Sequence, residues 1–187
     1  MTTGYQIKDQ EALHYLTLQV VDWIDIFTRK AYRDLVLESI SYCRQNKGLQ
    51  VFGYVIMSNH IHLICNSQDG KLSDTIRDLK KFTSRKHIEA IQTGNESRKE
   101  WMLDRFGFTG RKNSRNQDFQ LRTHENHAIV LYSNPFIHEK LTYLHNNPVR
   151  AGIVEHPEEY LYSSARNYAD MPGLMEIIRL SLPLLTR

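Results

Sequence analysis

Runs of β-branched and aromatic residues mark three strands early in the chain. They are His14-Tyr15-Leu16-Thr17-Leu18-Gln19-Val20-Val21, then Leu49 to Ile56, then His60 to Asn66. Only Met57-Ser58-Asn59 separates the second from the third, so these two form a hairpin. Between the first and second strands, Leu35, Ile40 and Cys43 fall on one stripe, which predicts a helix over Tyr32 to Asn46. Lys47-Gly48 stops it. Ser73 is the expected N-cap of a second helix reaching about Gln92, with Asp74 favourable in its first turn. Ile76, Leu79, Phe82 and Ala90 share one face of this helix, and Arg77, Lys80, Lys81 and Arg85 cluster on the other. The pattern breaks from about 94 to 118, where Gly94, Gly107, Gly110, Asn113, Ser114 and Asn116 surround an apolar island, Trp101 to Phe108. This reads as a partly flexible insertion. A strand near His127 to Leu131 follows. Ser133-Asn134-Pro135 then opens a helix that Pro148 ends at about Asn146. A last amphipathic helix, Pro157 to Tyr168, precedes a short apolar tail.

The order β-α-β-β-α-(insertion)-β-α predicts an α+β fold of ferredoxin-like type, an antiparallel sheet with helices on one face. A length of 187 residues fits a single domain, 1–187, with the insertion at about 94–118 and a C-terminal extension at about 155–187. Hydrophobic residues make up 41%, enough for a globular core. Cys43 and Cys65 are the only cysteines, so a reduced compartment is expected and a disulfide framework is not. The N-terminus lacks an apolar signal core and no stretch approaches a membrane span. A cytoplasmic protein is therefore expected.

The net charge of +3 is unevenly spread. From Arg77 to Arg115 eleven basic residues face five acidic ones, a local +6, while the remaining thirteen and sixteen give −3. A basic block of this kind suits a phosphate-bearing partner. A solvated helix face joined to a loop would show the same charge.

His60-Ile61-His62 sits inside the third strand, so the two imidazoles share a face while Ile61, Leu63 and Cys65 turn to the other. Such a pair can ligate a metal. It can equally be two half-exposed histidines on an edge strand. In the helix from Pro135, Ile137, Leu141 and Leu144 form the buried stripe, and Lys140, Tyr143 and Asn147 fall on one flank. One tyrosine among ten is by itself unremarkable.

These residues resemble a known family. His60-Ile61-His62 is similar to the His-hydrophobic-His signature of HUH endonucleases. Tyr143-Leu144-His145-Asn146-Asn147-Pro148-Val149-Arg150-Ala151-Gly152-Ile153-Val154 resembles a block of the REP-associated tyrosine transposases, which are single-tyrosine HUH transposases of bacterial insertion sequences. Gly53 to His62, Val21-Asp22-Trp23 with Phe27-Thr28-Arg29, and Glu159-Tyr160-Leu161-Tyr162-Ser163-Ser164-Ala165 match as well, so the resemblance runs from about residue 5 to 182.

The resemblance implies cleavage and rejoining of single-stranded or hairpin DNA by a monomer or homodimer, with no membrane partner. By it, His60 and His62 hold a divalent metal, Mg2+ or Mn2+, and Tyr143 is the nucleophile that forms a 5′-phosphotyrosine. Asn147, one turn later, matches an amide that completes the metal site. Arg77, Lys80, Lys81, Arg85, Lys140 and Arg150 are the candidate DNA contacts. Arg122 stands where relatives carry a tryptophan, which puts local packing or DNA contact there in question. His127 matches a histidine often seen in relatives, and His145 reads by default as a satisfied surface histidine.

Three other readings fare worse. A histidine-triad hydrolase needs a third histidine where Ile64 stands. A DNA-binding descendant without catalysis would have lost His60, His62 or Tyr143. A structural zinc site needs more ligands and clustered cysteines.

Overall fold

The computed structural model describes residues 6–112 and 118–181. Asn113, Ser114, Arg115 and Asn116 of the expected insertion, and the end of the apolar tail, lie outside the described residues. Strands β1 (His14–Gln19), β2 (Leu49–Ile56), β3 (His60–Ser67) and β4 (Ile129–Val130) form one sheet in the order β2-β3-β1-β4. Every neighbouring pair is antiparallel. This is the expected ferredoxin-like order, with the first and third strands central. The β2–β3 turn is closed by the Met57 amide donating to the His60 carbonyl at 2.9 Å. β4 keeps only two residues of the expected strand.

Register decides what meets what across the sheet. Thr17 lies opposite His62, Gln19 opposite His60 and Tyr15 opposite Ile64, so all share one face. Leu16, Leu18, Ile61, Leu63 and Cys65 occupy the other face and are essentially inaccessible. That face lies under α1 (Lys30–Asn46) and α2 (Leu72–Thr93), which pack against each other. α2 starts one residue before Ser73, with Lys71 in the cap position. Ser73 therefore caps nothing. Its amide donates to Gln10 Oε1 at 2.8 Å and its hydroxyl accepts from Gln10 Nε2 at 2.9 Å, which ties the N-terminal segment to the helix.

The histidine face is crossed by α4 (Asn134–His145), whose N-cap Ser133 accepts from the Phe136 amide at 3.4 Å. Helices thus lie on both faces: α1 and α2 on one, α4 on the other. Gly53, on the same face as Ile64, is what lets α4 sit so low. A Cβ there would come 3.0 Å from Leu141 Cδ1. α4 ends at His145, and a one-turn helix, α5 (Asn147–Arg150), follows directly.

Two expectations need correction. The segment read as a flexible insertion contains a regular helix, α3 (Lys99–Arg111), with Met102 and Phe106 fully buried. Its glycines answer packing rather than disorder. A Cβ on Gly110 would lie 2.7 Å from the Asp118 carbonyl oxygen. The expected helix from Pro157 to Tyr168 is broken into a 3-10 turn, Pro157–Glu159, and a single turn, α6 (Ala165–Tyr168). Between them the chain runs along the exposed edge of β2. The Ile56 amide donates to the Tyr162 carbonyl and the Ser164 amide to the Tyr54 carbonyl, both at 2.9 Å. An edge strand's unpaired backbone groups need partners, and satisfying them outweighs a marginal helix.

Candidate active site

β3 delivers His60 and His62 to one face, with ring centroids 4.7 Å apart. Each inner nitrogen is already engaged. His60 Nδ1 is 2.7 Å from Asn59 Oδ1, and His62 Nδ1 is 3.0 Å from Thr17 Oγ1. With Asn59 Oδ1 accepting, His60 Nε2 keeps its lone pair. Burial holds both imidazoles neutral. It lowers the pKa of His60 to about 4 and, with His60 as a neighbour, that of His62 to about 3. A neutral ring that donates through Nδ1, as His60 does to Asn59, has the state a metal ligand needs.

α4 brings Tyr143 to the same place. Its ring centroid is 6.1 Å from that of His62 and 6.4 Å from that of Tyr15, edge-on to both. Tyr143 is 41% exposed, so its hydroxyl can meet a ligand from solvent. The Arg150 guanidinium, seven residues on in α5, lies 4.5 Å from the Tyr143 ring centroid, and Lys140 Nζ lies 6.0 Å from it. The site thus combines two neutral imidazoles, a phenol and two cations. Asn147 Nδ2 is buried with no partner within the protein. Among the described residues no three His, Cys, Asp or Glu side chains gather in one place. A metal here would therefore depend on the two imidazoles and on oxygens from outside the chain. The residues fit a hard or borderline divalent ion of that kind.

The remaining sequence candidates separate. Arg77 is paired with Asp74 at 2.6 Å and Asp78 at 3.3 Å. Lys80 turns away from its neighbours and donates to the Asn126 side chain at 2.7 Å and the His124 carbonyl at 3.0 Å. Burial, then the charge of Arg122, lowers its pKa to about 8. Lys81 and Arg85 line a cleft of about 770 Å³ between α1 and α2, with Leu35, Tyr42 and Phe82. The expected single basic face of α2 is thus divided, and only Lys140 and Arg150 are beside Tyr143. His145 is buried rather than on the surface. Its Nε2 is 2.9 Å from Ser164 Oγ, and burial lowers its pKa to about 4. His127 has a left-handed backbone, φ 40°, with Nε2 4.0 Å from Glu125. Arg122 fills its position by packing: Nη1 donates to the Leu18 carbonyl at 3.3 Å and the guanidinium lies 5.3 Å from the Phe27 ring centroid.

Four site residues escaped the sequence reading: Tyr15, Thr17, Asn59 and Trp23. Strand alternation groups Tyr15 with Thr17, but only the β1–β3 register brings them to the histidines. Tyr15 is buried and its hydroxyl has no partner within the protein. Burial, then Tyr143, pushes its pKa well up, while Arg150 opposes the shift. Trp23 is 56% exposed, with its ring centroid 5.8 Å from that of His60. Asp22 and Trp23 both have left-handed backbones, φ 52° and 55°, at a cost of about 1–2 kcal/mol each. Arg105 of α3 holds Asp22 at 2.5 Å, and Asn59 Nδ2 reaches the Trp23 carbonyl at 3.3 Å.

The site thus sets a strand-borne histidine pair against a helix-borne tyrosine. The model of the family "Transposase IS200 like" matches residues 19–111. The chain is also similar to a solved structure of a REP-associated tyrosine transposase bound to a REP hairpin. The TM-score is 0.64 at 11% identity, over 97% of this chain and 96% of that one. No curated protein matches the sequence. Among the described residues no helix is long and apolar enough to cross a membrane.

Proposed function

We propose that this protein cleaves and rejoins single-stranded DNA beside a hairpin through a covalent tyrosine intermediate. The observation that carries the reading is the approach of Tyr143, on α4, to His62, on β3. Nothing in the local sequence requires that approach. Tyr143 Oη attacks the phosphorus, the bond to the 3′ oxygen breaks, and that oxygen leaves as a 3′-hydroxyl. The 5′ end remains as a phosphotyrosine diester, and a second 3′-hydroxyl can reverse the step and join strands. Lys140 and Arg150 carry positive charge to the phosphate oxygens beside the phenol. His60 and His62, with the Asn147 amide oxygen that the family resemblance adds, would hold Mg2+ or Mn2+. A metal bound there would polarise the scissile phosphate. Hairpin DNA is the proposed partner because the structurally similar transposase binds a REP hairpin. The +6 block adds the charge such a partner needs.

Tyr143→Phe tests the reading. It removes one oxygen and keeps the ring between Tyr15, His62 and Arg150, so binding and melting temperature should hardly change. With labelled hairpin DNA carrying a single-stranded flank, and manganese or magnesium, wild type should give a protein–DNA band on a denaturing gel. EDTA should abolish the band. An adduct formed by the Phe variant would remove Tyr143 from the nucleophile role.

A further inference from the structure

Beyond the histidines, the surface around Trp23 continues onto α3 in a repeating pattern. Trp101, Arg105, Phe108 and Lys112 are spaced at i, i+4, i+7 and i+11, so they line one face of α3 and run on at its C-terminal cap. The opposite face carries buried Met102, Phe106 and Gly110. Trp101 and Phe108 are 49% and 45% exposed. Lys112 Nζ sits 4.1 Å from the Phe108 ring centroid, and the Arg105 guanidinium lies 5.8 Å from it. Arg105 also binds Asp22, whose neighbour Trp23 stands edge-on to His60. Two further ion pairs clamp the Trp23 loop to the start of α3: Arg98 with Asp25 at 2.6 Å and Arg29 with Glu96 at 2.8 Å. The loop and the helix are therefore one rigid surface that begins at the histidine pair.

We propose that Trp23 and the outward face of α3 form a track for the single strand of DNA that flanks the cleavage position. Exposed rings alternating with cations suit a flexible polyanion with flat bases. Bases stack on the rings, and Arg105 and Lys112 meet the phosphates between them. Duplex DNA offers no free base faces, so the pattern favours a single strand. Trp23 would hold the base nearest the scissile phosphate, and Phe108 one further along. This extends the proposed function by assigning where the strand lies, and it rests on the histidine–tyrosine site being the cleavage centre.

The test measures binding without chemistry. In EDTA, a labelled oligo(dT) of about ten nucleotides and a blunt hairpin are titrated by fluorescence anisotropy. Trp23→Ala and Phe108→Ala should each weaken oligo(dT) binding about tenfold, the scale of one lost base stack. Binding of the blunt hairpin should change less than twofold. Trp23→Phe should recover most of the loss, and melting temperatures identify any variant that fails to fold. The chain has two tryptophans, Trp23 and Trp101. In Trp101→Phe, oligo(dT) should therefore quench the emission of Trp23 alone. No quenching, a loss below twofold in both alanine variants, or an equal loss for the blunt hairpin would overturn the track. The adduct assay reports separately. Normal oligo(dT) binding without a Tyr143 adduct would sink the cleavage reading and leave only a surface that binds single strands.

Discussion

His60 Nδ1 meets Asn59 Oδ1 at 2.7 Å and His62 Nδ1 meets Thr17 Oγ1 at 3.0 Å. These contacts engage Nδ1 of both rings, and they come from residues outside the proposed ligand set. Partners of this type commonly tune metal affinity by about 10–100-fold. Asn59→Ala should accordingly weaken manganese binding within that range, read by EPR titration with hairpin DNA present, with the far-UV circular dichroism unchanged. Thr17→Val, which keeps the shape and removes the hydroxyl, should do the same for His62. Unchanged affinity in both variants would mean that packing alone orients the rings. Asn59 adjoins His60 in the sequence, but nothing there marked it as the partner of Nδ1. Thr17 was not marked either, because its partner is 45 positions away and only strand register pairs them.

α3 shows how an element can hide in its composition. Gly107 and Gly110 in a 13-residue segment lower helix propensity by about 1 kcal/mol each relative to alanine, which is why the pattern reads as a break. Tertiary packing reverses the balance: Met102 and Phe106 are fully buried, and the absent side chain of Gly110 admits the Asp118 carbonyl. Gly110→Ala should therefore destabilise the protein by about 1–3 kcal/mol despite its better helix propensity. That lowers the melting temperature by roughly 2–12 °C for a chain of this size. A neutral or stabilising result would show that the chain around Asp118 shifts aside at little cost. The last predicted helix failed for the opposite reason. Its periodicity was real, but the backbone of β2 needed hydrogen-bond partners and drew residues 161–164 into extended pairing.

At the scale of the whole molecule, α4 lies over its own sheet and sets Tyr143 against the His62 of the same chain. One subunit therefore contains every group the proposed chemistry uses. Mixing Tyr143→Phe with His60→Ala protein should restore no adduct formation on hairpin DNA. Restored activity would mean that the tyrosine serves a partner's histidines. The seating of α4 depends on Gly53 and Leu141, 88 positions apart, which makes the candidate site a product of the folded core rather than of any one motif.

The sequence by itself determined the strand–helix order, the hairpin of β2 and β3, the shared face of His60 and His62, and the flank of Lys140 and Tyr143. Each follows from the two local periods of polypeptide geometry, which are written into nearest neighbours along the chain. Arg77, Lys80, Lys81 and Arg85 mark where that logic stops. Periodicity grouped them, yet Arg77 pairs with Asp74 and Asp78 of its own helix, Lys80 reaches Asn126, and Lys81 and Arg85 line the α1–α2 cleft. The family resemblance singled out Tyr143, but only the tertiary structure set its ring against His62, brought Tyr15 and Thr17 to the histidines, and joined α3 to the Trp23 loop. Those outcomes depend on register and close packing between distant segments, where the energy lies in contacts that no local pattern encodes.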